Sequence, residues 1–276
     1  MTFGQQPQGG NGFNQQPQNQ YQQYQYNAQY AQQPYAYAPN GTAAINTEAA
    51  YAFEQAQRVS VTKAYGEMTI GLIITAVVAV LAQMSGAYVA FLQATGLIGF
   101  ILFAVVQVGL AMFLGARIMK IKSGTARLMF YVYSALMGFT LSSIFMIYDL
   151  GSIGVALGLC AVFFFVLTMF GMTTKINMLK AGPILLVGLI VLIVAELLLA
   201  FLFPGDTMLM IVSAIGLVLF AAMTVHDAQQ TRAIFNQYAG YGPEMIKKVS
   251  IICALNLYLD FVNIFLYILQ LLGNRD

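Results

Sequence analysis

Three acidic residues stand inside stretches that are otherwise almost wholly apolar: Glu196 in IVAELLLAF, Asp227 in AAMTVHDAQQTRAIF and Asp260 in LNLYLDFVNIFLYILQ. A charge at the centre of a membrane helix costs about 2.5–3.5 kcal/mol on insertion scales, so such a group faces the interior of a bundle or a hydrated path. Carboxylates in that setting exchange protons or bind hard cations through their oxygens. Around Asp260 the polar residues Cys253, Asn256, Asp260, Asn263, Tyr267 and Gln270 recur at steps of three and four. That spacing puts all six on one face of a helix. The face suits a hydrated path or a ladder of interhelical hydrogen bonds. Ser213, Gly216, Phe220, Thr224, Asp227 and Thr231 form a comparable face. His226 is expected to point elsewhere, about 100° around its helix. Glu196 has no polar stripe around it, and the sequence assigns it no role.

Other chemistries lack their residues. The two cysteines, Cys160 and Cys253, lie in apolar runs and read as packing residues. A single histidine excludes a multi-histidine metal centre. Intramembrane serine proteolysis needs a buried Ser with a His, and no G-x-S-G occurs. A retinal protein wants a lysine in mid-helix, whereas Lys247 and Lys248 lie only at the start of the last apolar stretch. No enzyme and no cofactor are expected. A net charge of +2 with no basic stripe gives no reason to expect nucleic acid.

The elements that position the acids are membrane helices. Of 276 residues, 59% are hydrophobic and 8% charged, against about a quarter charged in a soluble domain. About 20 consecutive apolar residues span a bilayer. Seven such spans are predicted, at Glu67–Gly86, Ala94–Ala116, Leu128–Tyr148, Ile153–Met172, Pro183–Phe203, Met208–Ala228 and Val249–Gly273. Of the 12 Lys and Arg residues, all but Arg275 fall before the first span or between spans two and three, four and five, or six and seven. By the positive-inside rule those segments are cytoplasmic. The N-terminus is then cytoplasmic and the C-terminus outside, unless the seventh span is a re-entrant hairpin. Ser134, Gly138 and Ser142, at intervals of four, read as a close helix–helix packing stripe. The chain divides into a tail over 1–57 and a membrane domain over 58–276. The tail is rich in Gln, Asn, Tyr, Pro and Gly, carries no charge before Glu48, and is expected to be disordered. It reads as a tether or an arm for other membrane proteins. It is not a signal peptide, and the absence of a targeting signal fits a bacterial cytoplasmic membrane.

HDAQQTRAI after span six, ALNLYLDFVNIFLYILQLLG in span seven and YSALMGFTLSSIF in span three together resemble the Bax inhibitor-1-like family, the transmembrane Bax inhibitor motif proteins. The resemblance covers roughly Lys63 to Gly273. It implies an all-α, seven-helix transmembrane bundle whose last helix is enclosed by the other six. It also implies that Asp227 and Asp260 form a hydrogen-bonded carboxylate pair tied to a pH-sensitive calcium leak. Family members carry a basic residue at the inner end of span two, a place for which Arg117 and Lys120 compete here. The residue before the span-six aspartate is often Tyr in the family; His226 replaces it and is the candidate for modulating the pH response.

Two carboxylates in contact cannot both ionise cheaply, so they share a proton and titrate as a unit. Such a pair is a latch: fully deprotonated it repels itself or recruits a cation. The predicted spans, however, leave the two aspartates offset by roughly 12 Å along their helices, at 1.5 Å per residue. Contact requires span six to run past Arg232 or span seven to begin before Val249. The function expected is a cation leak gated at Asp227 and Asp260, with Asn256, Asn263 and Tyr267 as the supporting stripe. The alternative is a membrane-embedded regulator of other membrane proteins, such as a protease or a cell-death factor.

Overall fold

A computed structural model describes residues 35–37, 43–45, 47–202, 206–238 and 241–273, and divides the chain into two compact units, Met1–Ala56 and Gln57–Asp276. The expectation of a disordered tail falls largely on residues outside the described ones. Within the first unit, strands β1 (Tyr35–Tyr37) and β2 (Ala43–Ile45) pair antiparallel, with Ala36 opposite Ala44.

The second unit is all-α. The helices are α1 (Thr47–Ser85), which begins within the residues of the first unit, α2 (Ala87–Arg117), α3 (Ser123–Leu141), α4 (Leu150–Thr173), α5 (Gly182–Leu202), α6 (Asp206–Tyr238) and α7 (Pro243–Leu272). Short 3-10 turns at Ser142–Met146 and Met178–Ala181 follow α3 and precede α5. Each helix contains a span long and apolar enough to cross a membrane, the first beginning at Val61. The seven predicted spans all appear, and the protein is a multi-pass membrane protein.

Burial differs sharply among the helices. Two thirds of the most apolar window of α7 is buried (67%), against 11% in α2 and 6% in α5. Every other helix touches α7. It packs along α2, α3, α4 and α6. It meets α1 through the Tyr258–Thr75 hydroxyl pair at 2.6 Å, and α5 through Tyr267 and Glu196. Lipid replaces water around the outer helices, so their Leu, Ile and Val stay exposed without penalty. The central helix carries a continuous polar face because protein groups surround and satisfy it there.

Two local devices fix the bundle. Gly138 of α3 lies where α1 crosses: a Cβ there would stand within 3.0 Å of the Thr75 backbone, so no side chain fits. Ser134 and Ser142 are fully buried beside it, as the small-residue stripe requires. At the basic end, Glu244 in the first turn of α7 accepts from the backbone N–H and hydroxyl of Ser123, both at 2.8 Å, and so caps α3.

The aspartate offset is resolved by helix length. α6 continues ten residues beyond the predicted Ala228 end, and α7 starts six residues before Val249. Gly242 takes φ 85°, a left-handed value that favours glycine, and leads into Pro243 at the start of α7. The register of the two helices is nearly symmetric about that turn. α7 is continuous through Leu272, so the re-entrant alternative for the seventh span falls.

Candidate functional site

The polar stripe of α7 faces α6, with α1, α4 and α5 closing around it. Asp260 is 1% exposed and Asp227 is 9% exposed. The two carboxyls lie within electrostatic reach of each other, and Thr224 stands at Asp260. Asp260 Oδ2 has no hydrogen-bond partner. The Thr224 hydroxyl lies 2.8 Å from Phe220 O. Its one hydroxyl proton can go to Phe220 O or to the Asp260 carboxyl, so the two acceptors compete for it.

Two helical turns from Asp260 towards the basic end, Cys253 pairs with Thr231, and both are buried. From α1 comes Tyr65, whose hydroxyl lies in the field of Cys253, Asp260 and Asp227. That hydroxyl is also buried without a hydrogen-bond partner. Thr168 of α4 faces it but spends its own proton on Phe165 O at 2.9 Å. The chamber therefore holds two carboxyls, a phenol, a thiol and three threonines, with two polar atoms unsatisfied.

His226 does not point away from Asp227. Its Nδ1 lies 2.7 Å from Asp227 Oδ1, because the two side chains fold towards each other across the angle their backbone positions set. The ring is charged only when protonated, and the contact is an ion pair only then. Arg117 and Lys120, by contrast, are exposed at the basic end. Among the described residues no Lys or Arg faces Asp260, whose charged neighbour there is Asp227.

The rest of the stripe finds partners towards the far end. Tyr267 donates to Glu196 Oε1 at 2.7 Å, so that isolated acid has a specific donor. Ser213 Oγ lies 2.6 Å from Gln270 Oε1. Asn263 donates to Leu259 O of its own helix at 2.8 Å. Asn256 is half-buried between Cys253 and Asp260, and its amide has no hydrogen bond among the described residues.

Sequence periodicity missed two groups of this interior. Tyr65 and Thr168 are single polar residues on helices with no polar stripe, so no pattern marks them. Glu67 was placed at the edge of the first span, yet it is 9% exposed, ion-paired with Arg127 and bonded by Tyr131 Oη at 2.7 Å.

Among the described residues no group of three or more His, Cys, Asp or Glu side chains could hold a metal ion. Calcium takes six to eight oxygens. The chamber supplies two carboxyls and a few hydroxyls, fewer oxygens than that shell needs.

Comparison with known proteins places these features in a family. The family model "Inhibitor of apoptosis-promoting Bax1" matches residues 57–276. The inner membrane protein YbhL of Escherichia coli K12 is 37% identical over 213 residues, covering 76% of this chain and 89% of its own. A protein of Borreliella burgdorferi is 36% identical, covering 77% and 90% of the two chains. RP147 of Rickettsia prowazekii is 32% identical, over 81% and 92%. With seven membrane helices around a buried seventh and a family match over the whole helical unit, the chain belongs to the Bax inhibitor-1 family.

Proposed function

We propose that this protein is a pH-sensitive leak for calcium or another cation, gated by the carboxyls of Asp227 and Asp260. One observation carries the reading: Asp260 is buried beside a second carboxyl, with no cation near it and one oxygen unsatisfied. Full ionisation of the two side by side is costly, so they hold a proton between them or exchange it for a passing cation. Protons and the permeant ion then compete for the same oxygens, and that competition makes the leak respond to pH. His226 touches Asp227 and supplies positive charge when protonated, so it modulates the pair. Asn256 and Asn263 line the same face, while Tyr267 is engaged by Glu196 beyond them. No enzymatic step and no cofactor enter this reading. The basic end is assigned to the cytoplasm and the host membrane to a bacterial inner membrane, in line with the name of the Escherichia coli relative.

The test is calcium entry into proteoliposomes loaded with a calcium dye, across pH 5 to 8. Wild type is expected to change its rate about tenfold or more over that range, the span of one shared titration. Asp260→Asn and Asp227→Asn are each expected to flatten the profile. A profile that keeps its full amplitude in both variants removes the pair from gating.

A second reading is favoured by the description of the family as inhibitor of apoptosis-promoting Bax1. In it the protein is a membrane-embedded regulator that binds other membrane proteins through its uncharged N-terminal 47 residues. Deleting 1–47 is then expected to remove co-purifying partners while leaving any flux intact. An unchanged partner set rejects it.

A further inference from the structure

The α6–α7 interface keeps one register from the basic end to the far end. Thr231 meets Cys253, and Thr224 meets Asp260. The rings of Phe220 and Tyr267 lie 5.8 Å apart, and Ser213 Oγ is 2.6 Å from Gln270 Oε1. Steps of three, four and seven residues keep these positions on the facing sides of both helices. On the α7 side every step is polar, and the one aromatic among them is Tyr267, two turns beyond Asp260 towards the far end. Its ring is 6% exposed and lies on Gly216 of α6. A Cβ at Gly216 would stand 2.7 Å from Cε1 and Cε2 and closer still to Cζ, so any side chain there drives the ring out. The hydroxyl reaches across to α5 and donates to Glu196 Oε1 at 2.7 Å. The ring is thus seated on a glycine and tied at its tip to a carboxylate. Beyond it Glu196 and Gln270 are half-buried, whereas behind it Thr224 is 0% exposed and Asp260 1%.

We propose that Tyr267 closes the carboxylate chamber towards the far end, and that Glu196 is the positioning residue that holds its ring over Gly216. What the closure controls rests on the leak reading; the closure itself does not. Packing alone at this step would be met by Phe or Leu, which bury no polar group that needs a partner. Tyr267 instead directs a phenol at an acid on another helix, and an acid inside an apolar helix is itself costly. A hydrogen bond between membrane helices is weak, so the ring is held and can still be released. Release turns the side chain about its own torsions, from one staggered position to another, and leaves the helices in place.

Thr224, behind the ring, is the place for a reporter. With Cys160→Ala and Cys253→Ala in the background, Thr224→Cys supplies the sole thiol. In nanodiscs its modification by a small water-soluble methanethiosulfonate is expected to be slow. Gly216→Ala should accelerate it about tenfold or more, because the added methyl penalises the seated ring as overpacking does. Tyr267→Phe and Glu196→Leu each remove one interhelical hydrogen bond and should accelerate it about threefold. Glu196→Gln keeps an acceptor for the phenol and should stay at the parent rate. A second reporter guards against general loosening. In Cys160→Ala protein the native Cys253, on the basic side of Asp260, should respond far less to the same four substitutions. Parent rates at the Thr224→Cys reporter in both Gly216→Ala and Tyr267→Phe overturn the closure, as does equal acceleration of the two reporters. The same substitutions in calcium-dye liposomes separate the closure from the leak. Faster labelling without flux in any variant keeps the closure and removes the leak; flux that depends on the aspartates with labelling unmoved does the reverse.

Discussion

Two buried acids, Glu67 on α1 and Asp260 on α7, face the same problem in the same bundle and are treated in opposite ways. Glu67 receives a guanidinium from Arg127 and a phenol proton from Tyr131. Asp260 receives no cation, an oxygen without a partner, and a second carboxyl as neighbour. The first arrangement compensates the charge and ties α1 to α3. The second leaves the charge uncompensated, which no packing requirement explains, since an asparagine would satisfy the same space. Uncompensated buried polar groups persist where function depends on them. On the proposed reading, Glu67 serves stability and Asp260 serves activity.

That assignment makes the two sites respond with opposite signs. Arg127→Met strands Glu67, and is expected to destabilise the protein by about 1–3 kcal/mol, less than for a fully buried pair because the Arg127 side chain is 43% exposed. The double variant Glu67→Gln, Arg127→Met should recover most of that loss. Asp260→Asn should leave the thermal midpoint in detergent unchanged or raise it, because it removes an unsatisfied charge-bearing group. A fall in midpoint for Asp260→Asn as large as for Arg127→Met would erase the distinction between the two sites.

Glu196 and Tyr267 make an intermediate case. Glu196 is half-buried near the far end, with one phenol donor and no cation. Tyr267→Phe keeps the ring against Phe220, 5.8 Å between centroids, and removes only the donor. Hydrogen bonds between membrane helices average about 0.6 kcal/mol in double-mutant cycles. A cycle of Tyr267→Phe with Glu196→Ala, read by unfolding in detergent, should return a coupling of about that size. A coupling near zero would place Glu196 in solvent and leave Tyr267 as packing alone; one several times larger would put Glu196 in the Asp260 class.

How far the sequence carried this picture depended on periodicity. The polar stripe of α7 and the face of α6 were legible because their residues repeat at helical spacing, and both faces are where the spacing put them. The enclosure of α7 and the proximity of the two aspartates were not legible in this way; they followed from the resemblance of the span-six and span-seven motifs. Span boundaries failed where hydropathy and helix ends part company: QQTRAIFNQY is too polar to read as membrane, yet it extends α6 by nearly three turns. Rotamers are invisible to a helical wheel, so His226 appeared to leave Asp227 when its ring in fact turns back to it. Partners from distant helices were beyond reach altogether. Nothing in TKAYGEMT marks Tyr65 as part of the chamber or Glu67 as the mate of Arg127, and nothing before the fold was known joined Tyr267 to Glu196.

The smallest effect is expected at Asp149, an acid outside the spans whose needs are met within one turn. It caps α4, accepting from the Ser152 N–H at 3.0 Å and from the Ser152 hydroxyl at 2.6 Å. Those donors, the hydroxyl first and the amide second, hold its carboxyl below the ordinary value of 3.8. A carboxyl lowered on folding adds stability that is present above its unfolded value and lost as pH falls through its folded one. Asp149→Asn keeps an acceptor for the Ser152 amide but gives up the charge at the helix N-terminus. At pH 7 the variant should therefore melt slightly below wild type. Towards pH 2 the difference should close, because the wild-type carboxyl has then taken up its proton and resembles the amide. A difference that stays constant down to that pH would mean that the cap works through shape alone, and that charge matters in this protein only where donors are missing.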